Sequence, residues 1–554
     1  MKNTKLLLIA ILCSIFATSQ NNPIQHDAEY YVIEAQNGEK WAADDQKIDQ
    51  KLEEIRKKND NKPPNIVYIL LDDVGFGEIG KPDLDVIRGY STPRISKLAK
   101  EGMSLQRMYT EPSCTPTRVA MITGRLPTRT GIVEAKAVVC GEGLPAEEVT
   151  IAEVLRGAGY NTSHIGKWHM GDIEQAYANK QGFMHAEFPI HQQAQLALLP
   201  IDSEYAHIVQ GVEKQNLAQT YTLDNGFVPD PSHMVTGVEL RDGKLYEVDL
   251  VAGEKWTQQK YKEMNQRYQD HAIEQIQILS QKDEPFFLNY WPLFPISFTL
   301  TDIEEFNTLN GGSMAERIFT IDQWVGEIID EVDRLGIAEN TLIVVMGDNG
   351  PFTQYFKTSG QSDRIYRGGK GEHLEGGVRT DAYARWTGAI EAGSSAQDII
   401  HISDLYTTFA RLGNATDNIP RDRIVDGIDQ SGILLLGETN GRRDYIFNYE
   451  EYTLKSVVKN KWKMHLPPPG TNAIFTSQIF DLYRDPRESR PENTIMLSPW
   501  AGGSFGAMIE RHMKFKQQFP DSPMTHDQPY EGIEDLRPES QKLVDIFNGE
   551  SSEH

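Results

Sequence analysis

Short apolar runs rich in β-branched residues alternate with longer amphipathic segments along most of this chain. The run Asn65–Leu71 predicts a strand that is buried on both faces, as in a parallel sheet. Further strands are predicted at 161–165, 286–291 and 342–346, and helices at 92–99, 151–157, 261–280 and 314–335. Because parallel strands need long crossover connections, usually helices, this alternation predicts an α/β fold with a mainly parallel central sheet flanked by helices.

Composition divides the 554-residue chain into unequal parts. Two lysines followed by an apolar run at 6–16 predict a signal peptide at 1–19. The alternative is a membrane anchor, but the run is too short to span a bilayer comfortably. We therefore expect an exported protein, periplasmic or secreted, with no membrane span after cleavage. The other predicted parts are a polar, helical extension at 20–62, a main domain at 63–440 with an insertion at 172–255, a smaller antiparallel subdomain at 441–490 and a polar tail at 491–554. We expect the insertion to line the mouth of a site and the tail to be extended or partly disordered.

Charge and cysteine count narrow the possible functions. A net charge of −25 argues against nucleic acid as a partner. Of the three cysteines, Cys13 lies in the predicted signal peptide, which leaves Cys114 and Cys140. Either these two form a disulfide, or Cys114 is used chemically and Cys140 has no partner.

Acidic and amide side chains directly follow two of the predicted strands. Asp72 and Asp73 come after the first strand, and Asp348 and Asn349 come after the strand at 342–346. Sites in α/β folds lie at the carboxyl ends of parallel strands, and adjacent carboxylates there repel each other unless a cation lies between them. An all-oxygen ligand set favours Ca²⁺ or Mg²⁺ over Zn²⁺. Taken alone, each pair is equally compatible with an ordinary polar turn.

A Cys-x-Pro-x-Arg run predicts a helix start that carries reactive groups. Pro116 is tolerated only in the first turn of a helix, so Cys114 lies at the beginning and Arg118 one turn later on the same face. The free N–H groups of a helix start favour an anion. The alternative is a buried cysteine with a purely structural role.

Two basic segments complete the set of candidate residues. Lys167 and His169 follow the predicted strand at 161–165 and, in an extended segment, face the same side. Lys370 lies in a glycine-rich loop that permits close approach of the backbone to a ligand. A cation beside an imidazole suits an anionic substrate, although each segment alone is also typical of a solvated basic turn.

In order and spacing these motifs resemble the formylglycine-dependent sulfatases of the alkaline phosphatase superfamily, over roughly residues 65–490. Two further segments, Glu375–Arg379 and Phe480–Pro486, fit the same family. The resemblance implies that a maturase oxidises Cys114 to formylglycine, whose hydrate attacks the sulfur of a small-molecule or glycan sulfate ester and later expels sulfate. It implies a metal site, usually for calcium and less often for magnesium, formed by Asp72, Asp73, Asp348, Asn349 and residue 114. By the same resemblance, Arg118 steadies the hydrate, and the sulfate oxygens are held by Lys167, His169 and Lys370.

The chain departs from the family pattern at one position. Many sulfatases carry a histidine shortly after the strand that corresponds to 286–291, whereas here Ile296 lies near that place. Our hypothesis is that His373, three residues after Lys370, takes part of the substrate-binding or leaving-group role. The alternative is that His373 is only a loop residue near the site.

Two alternative functions remain open from the sequence. One is a phosphonate monoester or phosphodiester hydrolase of the same superfamily. The other is a non-catalytic protein that binds sulfate esters, for which the missing histidine is the only argument.

Overall fold

The structure is a computed structural model, and it describes residues 23–135, 142–171, 173–188, 235–241, 244–249, 258–293, 312–351, 365–467, 477–492 and 501–523. The helices are α1 (Ala28–Lys58), α2 (Asp85–Arg88), α3 (Pro93–Glu101), α4 (Cys114–Thr123), α5 (Ile151–Gly157), α6 (Gln258–Leu279), α7 (Gly312–Arg334), α8 (Glu375–Val378), α9 (Asp404–Leu412), α10 (Ser431–Leu436) and α11 (Ala501–Gln518). The strands of the first half are β1 (Asn65–Leu71), β2 (Met103–Leu105), β3 (Met108–Tyr109), β4 (Asn161–Gly166), β5 (His185–Phe188), β6 (Val235–Arg241), β7 (Lys244–Asp249) and β8 (Phe286–Trp291). Those of the second half are β9 (Thr341–Gly347), β10 (Arg379–Thr380), β11 (Ala382–Arg385), β12 (Ser394–Ala396), β13 (Ile400–His401), β14 (Tyr445–Glu450), β15 (Thr453–Lys459), β16 (Trp462–His465) and β17 (Gln478–Asp481).

Ten strands form the central sheet, in the order β12-β2-β11-β9-β1-β8-β4-β5-β6-β7. The five strands from β9 to β5 in that order are parallel, and antiparallel pairs extend the sheet on both sides. The predicted α/β fold with a mainly parallel sheet is therefore confirmed. In the register of β1 and β9, Leu71 lies opposite Gly347, so the residues that follow both strands emerge at one edge.

Strand β1 is buried on both faces, as its continuous apolar sequence predicts. Ile66, Tyr68 and Leu70 pack into one core, with helices α4, α5 and α9. Val67, Ile69 and Leu71 pack into the other, with helices α3, α6 and α7. The alternation follows from the two-residue period of a strand, and it places helices on both sides of the sheet.

A separate four-stranded antiparallel sheet, β14-β15-β16-β17, forms the C-terminal subdomain. Helix α1 joins this subdomain to the main domain, because it contributes to both cores. Ile48 and Leu52 lie in a core of the main domain, whereas Ile33 and Trp41 pack with the apolar residues of the subdomain.

The prediction of an extended or disordered tail is wrong for Ala501–Gln518, which forms helix α11. Phe505 and Met508 of this helix are buried in the core of the subdomain. Arg511 donates hydrogen bonds to Glu29 of helix α1. The segment is polar overall, and its few apolar residues form a weak stripe. That stripe is recognisable only once the helix packs on the subdomain.

Several predicted features lie outside the described residues. They are the signal peptide at 1–19, Cys13, Cys140, Ile296, most of the insertion at 172–255 and the end of the tail. Within the insertion, β5 and the hairpin β6–β7 are described, and they extend the central sheet. Among the described helices, none combines the length and the apolar character that crossing a membrane requires.

We expect His512→Ala to lower the free energy of unfolding by about 2–4 kcal/mol, because its buried partners would lose their hydrogen bonds. The ring of His512 bridges Asp27, at 2.9 Å, and the hydroxyl of Tyr449, at 2.6 Å, and stacks on Phe447 at 3.8 Å. The measurement is urea-induced unfolding. The matched control is Lys514→Ala, on the exposed side of the same helix, which should leave the midpoint nearly unchanged. Equal midpoints for both variants would contradict the role given to His512.

Candidate active site

The acidic residues that follow β1 and β9 lie together, as the parallel register requires. The backbone N–H of Asp73 donates to Oδ1 of Asp348 at 2.9 Å, and Nδ2 of Asn349 donates to Oδ1 of Asp73 at 2.7 Å. Asp72, Asp73, Asp348 and Asn349 are all buried. Two loops that are 275 residues apart in sequence therefore build one acidic site.

Cys114 is the first residue of helix α4, and its side chain points at this acidic site. Its Sγ and carboxylate oxygens of Asp72 and Asp348 all lie within 4.8 Å of one another. The thiol is buried and not in a disulfide. The predicted helix start and the predicted acidic site thus form one cluster.

Arg118, Lys167 and Lys370 balance the buried carboxylates. Arg118 donates to Oδ2 of Asp348 at 2.7 Å and to Oδ1 of Asp72 at 3.4 Å. Lys167 forms a short ion pair with Asp72. Nζ of Lys370 lies 2.9 Å from Oδ1 of Asp73. We call Asp72, Asp73, Asp348, Arg118, Lys167 and Lys370 the charge cluster.

Positive φ angles shape the backbone on both sides of the cluster. Asp73 and His169 have φ angles of 56° and 58°, which are uncommon for residues other than glycine and are typical of functional sites. The carbonyl of His169 accepts a hydrogen bond from Oγ1 of Thr115 at 2.9 Å, so His169 lies next to helix α4. The backbone of His169 therefore lies near the charge cluster, close to the side chains of the other predicted residues discussed so far.

Comparison with known proteins gives the family. The sulfatase family model matches residues 64–415. The chain belongs to the sulfatase family. It is 32% identical to human arylsulfatase A over 462 residues, which cover 77% of this chain and 83% of that protein. It is 28% identical to the steryl-sulfatase of Rattus norvegicus, over 77% of this chain and 85% of that protein.

A solved structure supports the same assignment. The chain is similar to the PsFucS1 sulfatase from Pseudoalteromonas sp., with a TM-score of 0.73 and 26% identity over 87% of this chain and 95% of the other. As a member of this family, the protein is a hydrolase that cleaves sulfate esters.

The charges of the sulfatase's cluster are strongly interdependent. Burial opposes ionisation of Asp72, but the charges of Lys167, Lys370 and Arg118 outweigh it and hold the pKa of Asp72 below its ordinary value. Burial and the nearby charge of Asp72 raise the pKa of Asp348. The negative charge of Asp72 thus opposes ionisation of Asp348, and a divalent cation bound to both carboxylates would favour the ionised form of each.

The donor set suits a hard divalent cation. The site offers oxygens of three buried aspartates and Oδ1 of Asn349, which is buried and accepts no hydrogen bond from any described residue. A buried amide oxygen that accepts no hydrogen bond can act as an oxygen ligand of Ca²⁺ or Mg²⁺. The residues present therefore fit the expected metal.

His373 lies in the same glycine-rich loop as Lys370 but forms its hydrogen bonds with the C-terminal subdomain. Its Nδ1–H donates to Oε1 of Glu450 at 2.7 Å, and its backbone N–H donates to the same oxygen at 3.0 Å. The ring centroids of His373 and His465 are 4.9 Å apart, and the two rings pack edge to face. The loop that carries Lys370 is thus attached to strand β14.

Two residues that support the site, Trp291 and Asp381, were not predicted from the sequence. Trp291, the last residue of β8, stacks on the guanidinium of Arg118 at 4.8 Å. Asp381 accepts hydrogen bonds from the backbone N–H groups of Gly77 and Ile79 and so shapes the loop after Asp73. The only signal for Trp291 was its position at the carboxyl end of a predicted strand. Asp381 carried no signal, because its partners are some 300 residues away.

Gly166→Ala should destabilise the protein more than Gly159→Ala, by at least about 1 kcal/mol. Both glycines have positive φ angles, 98° and 92°, so both substitutions strain the backbone. A Cβ on Gly166 would also collide with the carbonyl of Trp291, which accepts a 2.6 Å hydrogen bond from the N–H of Lys167. A Cβ on Gly159 meets no described atom within 4 Å. Urea-induced unfolding measures the free energy of unfolding of both variants. An equal loss in the two would show that close packing at Gly166 is unimportant.

Proposed function

We propose that this sulfatase cleaves its ester with formylglycine at position 114 and one divalent cation, calcium in preference to magnesium. The observation that carries the proposal is the approach of Cys114 Sγ to the carboxylates of Asp72 and Asp348, all within 4.8 Å. Neither a structural cysteine nor a plain acidic turn requires this arrangement. In the proposal, Asp72, Asp73, Asp348, Asn349 and residue 114 hold the cation.

The proposed nucleophile is the hydrated aldehyde of formylglycine, which the chain acquires when a maturase oxidises Cys114. The thiol lies beside Asp72 and Asp348, the carboxylates that would hold the cation. Arg118 reaches the same carboxylates and is kept in place by Trp291, so it orients residue 114 from one side.

Lys167, His169 and Lys370 are the proposed sulfate-binding residues. Lys167 and Lys370 surround the carboxylates with positive charge, which suits an ester whose negative charge shifts during the reaction. A bound cation would add charge to polarise the ester. Proton transfer to the leaving alcohol is assigned to one of these side chains or to His373.

The named relatives span several kinds of substrate. They include arylsulfatase A, steryl-sulfatase and an N-acetylgalactosamine-6-sulfatase from Mus musculus, the last 29% identical over 73% of this chain and 72% of that protein. We accordingly propose a small-molecule or glycan sulfate ester as substrate and an exported protein as the setting. The sulfatase names of these relatives do not favour phosphonate or phosphodiester hydrolysis. The charge cluster is intact, which argues against a non-catalytic protein that only binds sulfate esters.

Mass spectrometry of the tryptic peptide Met108 to Arg118, from protein made in its native host, should show an aldehyde at position 114. Cys114→Ala should remove both the aldehyde and the activity, the latter by at least about 10³-fold, because the nucleophile is lost. An intact thiol, or a disulfide to Cys140, in protein that still releases sulfate would refute the formylglycine mechanism.

Removal of metal by a chelator should abolish sulfate release, and Ca²⁺ should restore it. Calcium at 100 times its Kd should also raise the free energy of unfolding by about 2.7 kcal/mol, because only the folded state binds it. Thermal unfolding with and without Ca²⁺, Mg²⁺ and Zn²⁺ measures this. Asp72→Asn should lose the stabilisation, whereas Glu53→Gln, on the exposed face of α1, should keep it. If no divalent cation stabilises the protein, the proposed site is wrong.

A further inference from the structure

A cleft of about 270 Å³ between the main domain and the C-terminal subdomain is lined by sequence neighbours of Cys114 and Lys370. Ser113, which lines it, directly precedes Cys114, and Gly371, which also lines it, directly follows Lys370. The N–H of Gly371 donates to the carbonyl of Pro112 at 2.6 Å, which joins the two loops at this wall. The described residues that line larger clefts of about 360 and 480 Å³ include no sequence neighbour of Cys114 or Lys370. We call the smaller one the acidic cleft.

Part of the wall of the acidic cleft is apolar and rigid. Pro112, Pro116, Pro127, Val133 and Tyr449 line it. The volume of about 270 Å³ lies just below the range of about 300–1,000 Å³ that is usual for ligand pockets, so a single ring fills the cleft. Flat apolar surfaces of this kind pack against the C–H groups of a ring.

Four carboxylates give the acidic cleft its charge: Glu111, Glu134, Glu450 and Glu451. Among the described residues that line it, none is Lys, Arg or His. Glu111 lies 3.5 Å from His401, whereas no ion pair within the described part of the chain involves Glu134 or Glu451. Carboxylates accept hydrogen bonds from hydroxyl groups and repel a second anion.

Glu450 is held in its ionised form. His373 donates to one of its oxygens at 2.7 Å, and Lys455 lies 3.3 Å from the other. Burial opposes the charge of Glu450, but the hydrogen bonds from His373 outweigh it and lower the pKa of Glu450 to about 2. The cleft therefore keeps this acceptor over the neutral pH range.

We propose that the acidic cleft binds the alcohol part of the substrate, and that this alcohol is one sugar ring with free hydroxyls and no second anionic group. Apolar faces take the C–H surfaces of the ring, and the glutamates accept hydrogen bonds from its hydroxyls. A second sulfate or a carboxylate on the ring would meet like charge. This inference rests on the proposed function, because it assigns the leaving group of the same reaction.

The experiment measures sulfate release, as kcat/KM, from galactose monosulfates substituted at O2, O3, O4 or O6 and from the corresponding disulfates. The kcat/KM of the best monosulfate should be at least about tenfold higher than that of every disulfate that contains the same ester. The double variant E134Q/E451Q removes two exposed charges. It should lower the ratio of monosulfate to disulfate kcat/KM severalfold. Glu53→Gln makes the same chemical change far from the cleft and should leave the ratio unaltered.

Equal or faster hydrolysis of a disulfate, or hydrolysis of para-nitrophenyl sulfate alone, would overturn the sugar-ring assignment and leave the sulfatase mechanism intact. A ratio unchanged in E134Q/E451Q would also overturn it. Failure to release sulfate from every ester, by protein shown to carry formylglycine and calcium, would instead refute the proposed function.

Discussion

The structure depends on the compensation of buried negative charge at the carboxyl edge of the parallel sheet. Asp72, Asp73 and Asp348 are together there because β1 and β9 are neighbours in a parallel register. Three buried carboxylates without counter-charges would be strongly destabilising. Arg118 and Lys167 supply part of that compensation from two further elements, so the site exists only when the whole domain is folded.

The geometry of the site follows from how its cations are held. Arg118 comes from helix α4, Lys167 from the segment after β4, and Lys370 from a loop that is attached to strand β14 through His373. Each cation is therefore fixed by an element with its own place in the core. Such an arrangement is preorganised, which suits the proposed binding of an anionic sulfate group.

The C-terminal subdomain contributes more than stability. Strand β14 ends at Glu450, beside the glycine-rich loop, and thereby forms one wall of the acidic cleft. Helix α11 fixes that strand from behind, because His512 bonds to Tyr449. The residues that anchor the tail and those that face the cleft are thus neighbours on one strand, which links the position of α11 to the shape of the proposed binding site.

The sequence by itself determined the fold class, most of the strands and helices, and the list of residues in the charge cluster. It did so because burial on both faces and helical periodicity are local patterns, and because the motifs around Cys114 and Lys167 are contiguous. The prediction failed for α11, whose apolar stripe is weak without its partners, and it could not reveal that His373 bonds to Glu450. Only the tertiary structure decided those contacts, since they join residues far apart in sequence through strand register and side-chain packing.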